Sequence, residues 1–150
     1  MTRIPGYLDP VPIPGVPARP HVDVELLMQA TSVIATIPFL IDTGADDTVL
    51  QPFDLTWPEA SPIASTFDDH PERRRIEGIG GSVYIVPVSV RLFFRIEDGP
   101  DRLWYDCRVW VAEPTDADLA MPSLLGRDLL QFFRLTLDYE AALPVLLERS

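Results

Sequence analysis

Asp42, Thr43 and Gly44 stand at the end of an apolar run, Phe39-Leu40-Ile41, and are followed by Ala45-Asp46-Asp47-Thr48-Val49-Leu50. A carboxyl group delivered by a strand to a turn has two uses. It can be an ordinary Asp-Thr-Gly turn, with Asp46 or Asp47 opening a helix. It can instead be a positioned acid, whose ionisation the apolar neighbours resist and whose carboxylate Thr43 and the backbone of Gly44 hold by hydrogen bonds. The chemistry of the second case is proton transfer. On a peptide bond it takes two carboxyl groups, one to deprotonate a water and a second, protonated, to polarise the carbonyl. The chain contains no second Asp-Thr-Gly or Asp-Ser-Gly. A third use, Mg²⁺ or Ca²⁺ held by Asp42, Asp46 and Asp47, is disfavoured, because calcium loops spread their acids at alternate positions.

The elements that must position this acid are strands. Val22-Asp23-Val24-Glu25-Leu26 alternates apolar and polar residues, Gln29 to Ser32 reads as a turn, and the branched run Val33 to Ile41 leads straight into Asp42. Pro38 within that run predicts an edge position or a bulge. Val49-Leu50 continues as a short strand stopped by Pro52, and residues 53–70 read as a loop around Pro58 and Pro62, with Trp57 a core candidate.

Two further stretches carry information. Around Gly78-Ile79-Gly80-Gly81, the branched segments Arg75-Ile76-Glu77 and Ser82-Val83-Tyr84-Ile85-Val86 flank a glycine cluster, the pattern of a hairpin with a freely bending tip. An ordinary structural hairpin has the same pattern, and a phosphate-cradling loop would need a following Lys or helix. In Leu124-Leu125-Gly126-Arg127-Asp128-Leu129-Leu130, a glycine permits close approach at a strand-to-helix junction, and Leu129, Leu130 and Phe133 share a helical face. Pro87 to Ile96 and Leu103 to Ala112 are predicted strands around the turn Glu97-Asp98-Gly99-Pro100. Leu135 to Asp138 and Leu143 to Leu147 form a closing hairpin, with Pro144 pointing to an edge for its second strand.

Together, Leu-Ile-Asp-Thr-Gly-Ala-Asp-Asp-Thr-Val-Leu, Gly-Ile-Gly-Gly and Leu-Leu-Gly-Arg-Asp-Leu-Leu resemble the catalytic loop, flap and post-catalytic helix of the retropepsins, the retroviral-type aspartic proteases. The resemblance runs from about Arg19 to Phe133. It implies an all-β fold, a closed barrel or sandwich with one short helix near the C-terminus, and an aspartic endopeptidase with neither cofactor nor metal. It implies a homodimer in which each subunit supplies one Asp42 and the two carboxyls share a proton. Asp42, Thr43 and Gly44 are the implied catalytic residues. Ala45, Asp46, Asp47, Gly78, Ile79, Gly80, Gly81 and Leu124 are the implied substrate-binding residues, and Gly126 and Arg127 the implied structural support. Arg127 is expected to pair with Asp46 in a buried ion pair, costly to break. A catalytically weak or inactive peptide-binding or dimerisation module is the alternative.

Bulk properties narrow the setting. The 150 residues, 47% hydrophobic, suffice for one domain with a core, and a net charge of -11 with no basic stripe argues against nucleic acid as a partner. Arg73-Arg74-Arg75, the one basic run, reads as a solvated loop. The single Cys107 excludes an intrachain disulfide, no apolar run approaches a membrane span, and the simplest expectation is a soluble cytoplasmic protein acting on a peptide or protein substrate. Residues 1–20, with Pro5, Pro10, Pro12, Pro14, Pro17 and Pro20, form an arm before a protease domain at 21–150. The arm is either a loose tail or a strap able to bury Ile4, Tyr7, Leu8, Val11 and Ile13.

Overall fold

A computed structural model describes residues 1–55, 69–78, 81–113 and 121–150. The chain is built from β1 (Thr2–Pro5), β2 (Tyr7–Asp9), β3 (Arg19–Met28), β4 (Val33–Ile41), β5 (Val49–Leu50), β6 (Arg74–Gly78), β7 (Gly81–Arg95), β8 (Arg102–Ala112), β9 (Leu124–Leu125), β10 (Arg134–Leu137) and β11 (Val145–Arg149). One helix, α1 (Arg127–Leu130), lies near the C-terminus, and a 3-10 turn covers Pro52–Asp54. The larger sheet runs β2-β3-β4-β9-β5-β8-β7-β6, and a further pairing of β3 with β7 closes it on itself. The all-β barrel expected from the three motifs is therefore the fold.

Period-two alternation explains how the barrel fills. Val22, Val24, Leu26 and Met28 on β3, Val90, Leu92 and Phe94 on β7, and Val109 and Val111 on β8 are buried in one cluster with Ile37, Phe39 and Ile41 of β4. The predicted flap strand and the strand after it are one continuous β7 of 15 residues. Trp57, with the rest of the proline-containing segment 56–68, lies outside the described residues, as do 79–80 and 114–120.

Two prolines sit differently from expectation, for a common reason. Strand β4 is interior, between β3 and β9, but β9 pairs only with Leu40 and Ile41, so the flank of β4 beside Pro38 has no partner strand among the described residues. Leu40 donates its N–H to Ser123 O (2.8 Å) on the β9 side, and by alternation Pro38 faces the same side, where its missing donor costs nothing. Strand β11 is not an edge but the centre of a second sheet, β1-β11-β10. Pro144 precedes it, and its carbonyl accepts the Asp138 N–H (2.8 Å).

Residues 1–9 are part of the sheet structure. Strand β1 pairs antiparallel with β11, β2 pairs with β3, and Ile4 is buried with Val145 and Leu147 in the barrel cluster. The Tyr7 ring stacks on His21 (5.7 Å between centroids) and its hydroxyl donates to Asp23 (2.8 Å). The Tyr139 hydroxyl donates to Ala18 O (2.7 Å), joining the β10–β11 turn to the segment before β3. Of the remaining candidate apolar residues, Leu8 and Val11 are half-buried, whereas Tyr7 and Ile13 are exposed.

Two outcomes follow. Ile4→Ala should lower stability by about 2–5 kcal/mol, the range for truncating a buried aliphatic side chain, read from the urea midpoint. Cys107 packs half-buried against the core, and burial, followed by the charges of Asp128 and Asp106, pushes its thiol up to about 11. Iodoacetamide at pH 8 should therefore label Cys107 much more slowly in the folded chain than in urea, since the thiolate is the reactive form.

Candidate active site

The acid loop spans the gap between β4 and β5, and β9 is threaded between those two strands, parallel to β4 and antiparallel to β5. Because β9 leads directly into α1, strand and helix arrive together beneath the loop. Several of the loop's backbone groups are satisfied there. Asp42 N–H donates to Leu125 O (3.1 Å), Arg127 N–H to Ala45 O (2.9 Å) and Asp128 N–H to Asp46 O (3.1 Å). The last two are helix N-terminal donors, capped by loop carbonyls rather than by a side chain.

A polar knot of buried Thr48 and half-buried Asp128 completes the junction. Thr48, fully buried, donates its hydroxyl to Asp128 Oδ1 (2.7 Å) and its N–H to Asp128 Oδ2 (3.0 Å), and its hydroxyl oxygen accepts the Gly126 N–H (3.1 Å). Asp128 also accepts the Leu129 N–H (2.9 Å). Gly126 is required by space: a Cβ there would stand 2.5 Å from the carbonyl carbon and oxygen of Asp47. On the other side of the loop, Trp110 N–H donates to Thr48 O (3.1 Å), tying β8 in.

On this base the predicted site residues take distinct places. Asp42 is half-buried and its Oδ1 accepts the Gly44 N–H (2.9 Å), the backbone bond expected of a held carboxylate. Thr43 and Gly44 are exposed, Ala45 is half-buried, and Leu124 is half-buried beside Leu40 and Val49. Gly78 pairs with Gly81 at the end of the β6–β7 hairpin, while Ile79 and Gly80 lie outside the described residues. The three carboxylates considered for a cation have separate partners: Asp42 the Gly44 N–H, Asp46 the Arg127 guanidinium, and Asp47 Arg74. Among the described residues no cluster of three metal-ligating side chains occurs.

Arg127 does pair with Asp46, but the pair is exposed, with side chains 58% and 79% accessible. The expectation of a buried, expensive ion pair is corrected accordingly: water solvates both partners, and such pairs contribute about 0–1 kcal/mol. The junction is held instead by Thr48 and Asp128, neither of which stands out in the sequence. They are 80 residues apart, and the nearest signal was an acid in the first turn of a helix.

The arginine run is solvent-exposed as expected, but Arg74 and Arg75 lie on β6 rather than in a loop, and all three side chains have partners. Arg74 binds Asp47 (2.6 Å) and lies 4.3 Å over the Trp110 ring, Arg73 lies 4.6 Å over Tyr84, and Arg75 donates to Ser82 Oγ (2.8 Å). One exposed ion pair, Arg74–Asp47, thereby links strand β6, which carries the glycine hairpin, to the acid loop. Two cavities of about 270 and 250 Å³ lie elsewhere, one between Asp9–Pro12 and Met121–Pro122 and one over Asp23, Glu25 and Phe93, and neither is lined by Asp42.

The fold around the site is thus a closed all-β barrel with an inserted β9 and an acid loop braced on a short helix. The model of the family described as retroviral aspartyl protease matches residues 17–138, and the chain belongs to that family. Among solved structures it is similar to the EIAV protease complexed with the inhibitor HBY-793, with 24% identity over 75% of this chain and 86% of that one, at a TM-score of 0.41. It is also similar to a retropepsin-like aspartic protease from Rickettsia conorii, with 17% identity over 86% of this chain and 81% of that one, at a TM-score of 0.44. No curated protein matches it. No helix among the described residues is long and apolar enough to cross a membrane.

The knot and the surface pair make opposite predictions. Thr48→Val keeps the shape but strands the Gly126 N–H and leaves Asp128 Oδ1 only the Leu129 N–H, and should cost about 1–3 kcal/mol. Arg127→Ala should cost no more than about 1 kcal/mol. Urea midpoints compared at one protein concentration measure both.

Proposed function

We propose that the protein is an aspartic endopeptidase that works as a homodimer, each subunit contributing one Asp42 to a shared dyad. The observation that carries this reading is the state of Asp42. It is a half-buried carboxylate held by the Gly44 N–H on a loop whose backbone is anchored in β9 and α1, with no second Asp-Thr-Gly in the chain to complete a pair.

In the dimer, the ionised Asp42 takes a proton from a water while the protonated Asp42 of the partner subunit donates to the scissile carbonyl oxygen. Water adds to the carbonyl carbon to give a tetrahedral diol. Collapse of the diol, with proton transfer to the leaving nitrogen, breaks the C–N bond and releases an amine and a carboxylic acid. Two carboxyls this close cannot both ionise, so the pair holds the single proton the reaction needs. Gly44 leaves room for a substrate backbone. Asp46 and Asp47 border the groove, and the Gly78–Gly81 hairpin serves as the flap that excludes water. The overall negative charge disfavours strongly acidic peptides.

Asp42→Asn should lower peptide cleavage at least about 100-fold, the low end of what a positioned acid–base group contributes, without loss of dimer mass in sedimentation. Wild-type specific activity should fall on dilution and be blocked by a pepstatin-type inhibitor. Equal cleavage by wild type and Asp42→Asn would overturn the enzymatic reading, and a dimer that binds peptides uncut would point to a binding module.

A further inference from the structure

A homodimer needs a surface that meets itself across a two-fold axis, and the second sheet supplies one. In the order β1-β11-β10, the two outer strands are not equivalent. The far side of β1 is covered: Arg3 O accepts the Glu97 N–H (2.8 Å) and the Arg3 side chain pairs with Glu97 (3.1 Å). The far side of β10 has no partner strand among the described residues. Exposed aromatic and aliphatic side chains also gather around β10: Phe132, Leu137 and Tyr139 are 48%, 45% and 50% accessible. An open edge with apolar neighbours is a template for another strand.

Backbone alternation says which groups that edge offers. Asp138 N–H donates to Pro144 O across the β10–β11 pair, so Asp138, and with it Thr136 and Arg134, direct their backbone groups to β11. The N–H and C=O of Leu135 and Leu137 therefore point out of the open edge. A second copy meeting this edge antiparallel about a two-fold axis satisfies all four in one register, with Leu135 opposite the partner's Leu137 and Thr136 on the axis. Each Leu135–Leu137 pair then exchanges two hydrogen bonds, and symmetry gives two such pairs. The same register sets Arg134 opposite the partner's Asp138, opposite charges on one face of the sheet, and lays leucine against leucine on the other.

We infer that β10 is the dimer seam: two chains join edge to edge through Arg134–Asp138 into one six-stranded antiparallel sheet, in the order β1-β11-β10-β10-β11-β1, with Thr136 on the two-fold axis. Each subunit keeps its own β1 and β11, so no terminal strand is exchanged. The inference rests on the proposed homodimeric function, and it assigns to that dimer an edge and a register.

Position 136 makes the test direct. Two Thr136 residues facing each other on the axis form a non-hydrogen-bonded pair, with Cα atoms about 4.5 Å apart, inside the disulfide range of about 4.4–6.8 Å. In a Cys107→Ser background, Thr136→Cys should convert mostly to a covalent dimer under mild oxidation, and its specific activity should stop falling on dilution. Thr36→Cys, exposed on β4, should remain uncrosslinked. Arg134→Cys mixed with Asp138→Cys should crosslink more than either alone, which fixes the register.

A cleaving dimer that Thr136→Cys does not trap, or equal trapping by Thr36→Cys, would overturn the seam and leave the proposed function standing. Crosslinking by Arg134→Cys alone to the same extent as the mixture would overturn the register. A trapped dimer with no cleavage at any concentration would support the seam and count against the enzymatic reading. A chain that stays monomeric in sedimentation at high concentration, and is not trapped by Thr136→Cys, would overturn both.

Discussion

The structure depends on a loop that cannot satisfy all of its own backbone. Between Asp42 and Thr48 the chain leaves one strand and reaches the next without secondary structure of its own, and its carbonyls and N–H groups need partners supplied from elsewhere. Strand β9 and the first residues of α1 provide them, and buried Thr48 with half-buried Asp128 closes the junction, where an unmade bond is costly. Gly126 is the hinge of this arrangement, because only a residue without a Cβ lets α1 approach Asp47 so closely. The catalytic candidate Asp42 is held in place by groups about 80 residues further along the chain.

What the sequence made legible was local. The period-two strands, the strand-to-acid junction, the glycine hairpin and the glycine before a short helix are each read from neighbours within a few residues, and each appears where expected. What it hid was pairwise and distant. The Thr48–Asp128 knot joins two common residues with no spacing pattern between them, and the partners of Arg73–Arg75 come from β7, β8 and the acid loop. The Arg127–Asp46 pair was legible as a pair, but its exposure was not, because burial depends on what packs around it.

Proline shows the same limit from the other side. Pro38 and Pro144 correctly announced missing donors, yet neither settled whether its strand was interior. A proline needs only one unpaired flank at its own position, and strand β4 provides that where the short β9 does not reach. The proline-rich first residues were open to two readings, and β1 and β2 with a buried Ile4 match the strap. Their far edge is bonded to Glu97, so the N-terminal segment both fills the barrel's end and blunts one side of the terminal sheet.

That blunting has a mechanical consequence for the acid. The open strand β10 follows α1 after only Gln131, Phe132 and Phe133. Phe133 packs on Phe94 (5.5 Å) and Tyr105 (6.0 Å), and Phe132 stacks on Tyr105 (5.7 Å), so the short connection is pinned to the barrel rather than free to swing. The path from the β10 edge to Asp42 therefore runs through three tight links: the aromatic contacts, helix α1, and the Asp128–Thr48 bonds. A two-fold axis at Thr136 would transmit its symmetry along that path to both acid loops. With one carboxyl per chain, the loop must be rigid relative to whichever edge makes the dimer, because two carboxyls that share a proton tolerate little error in their separation.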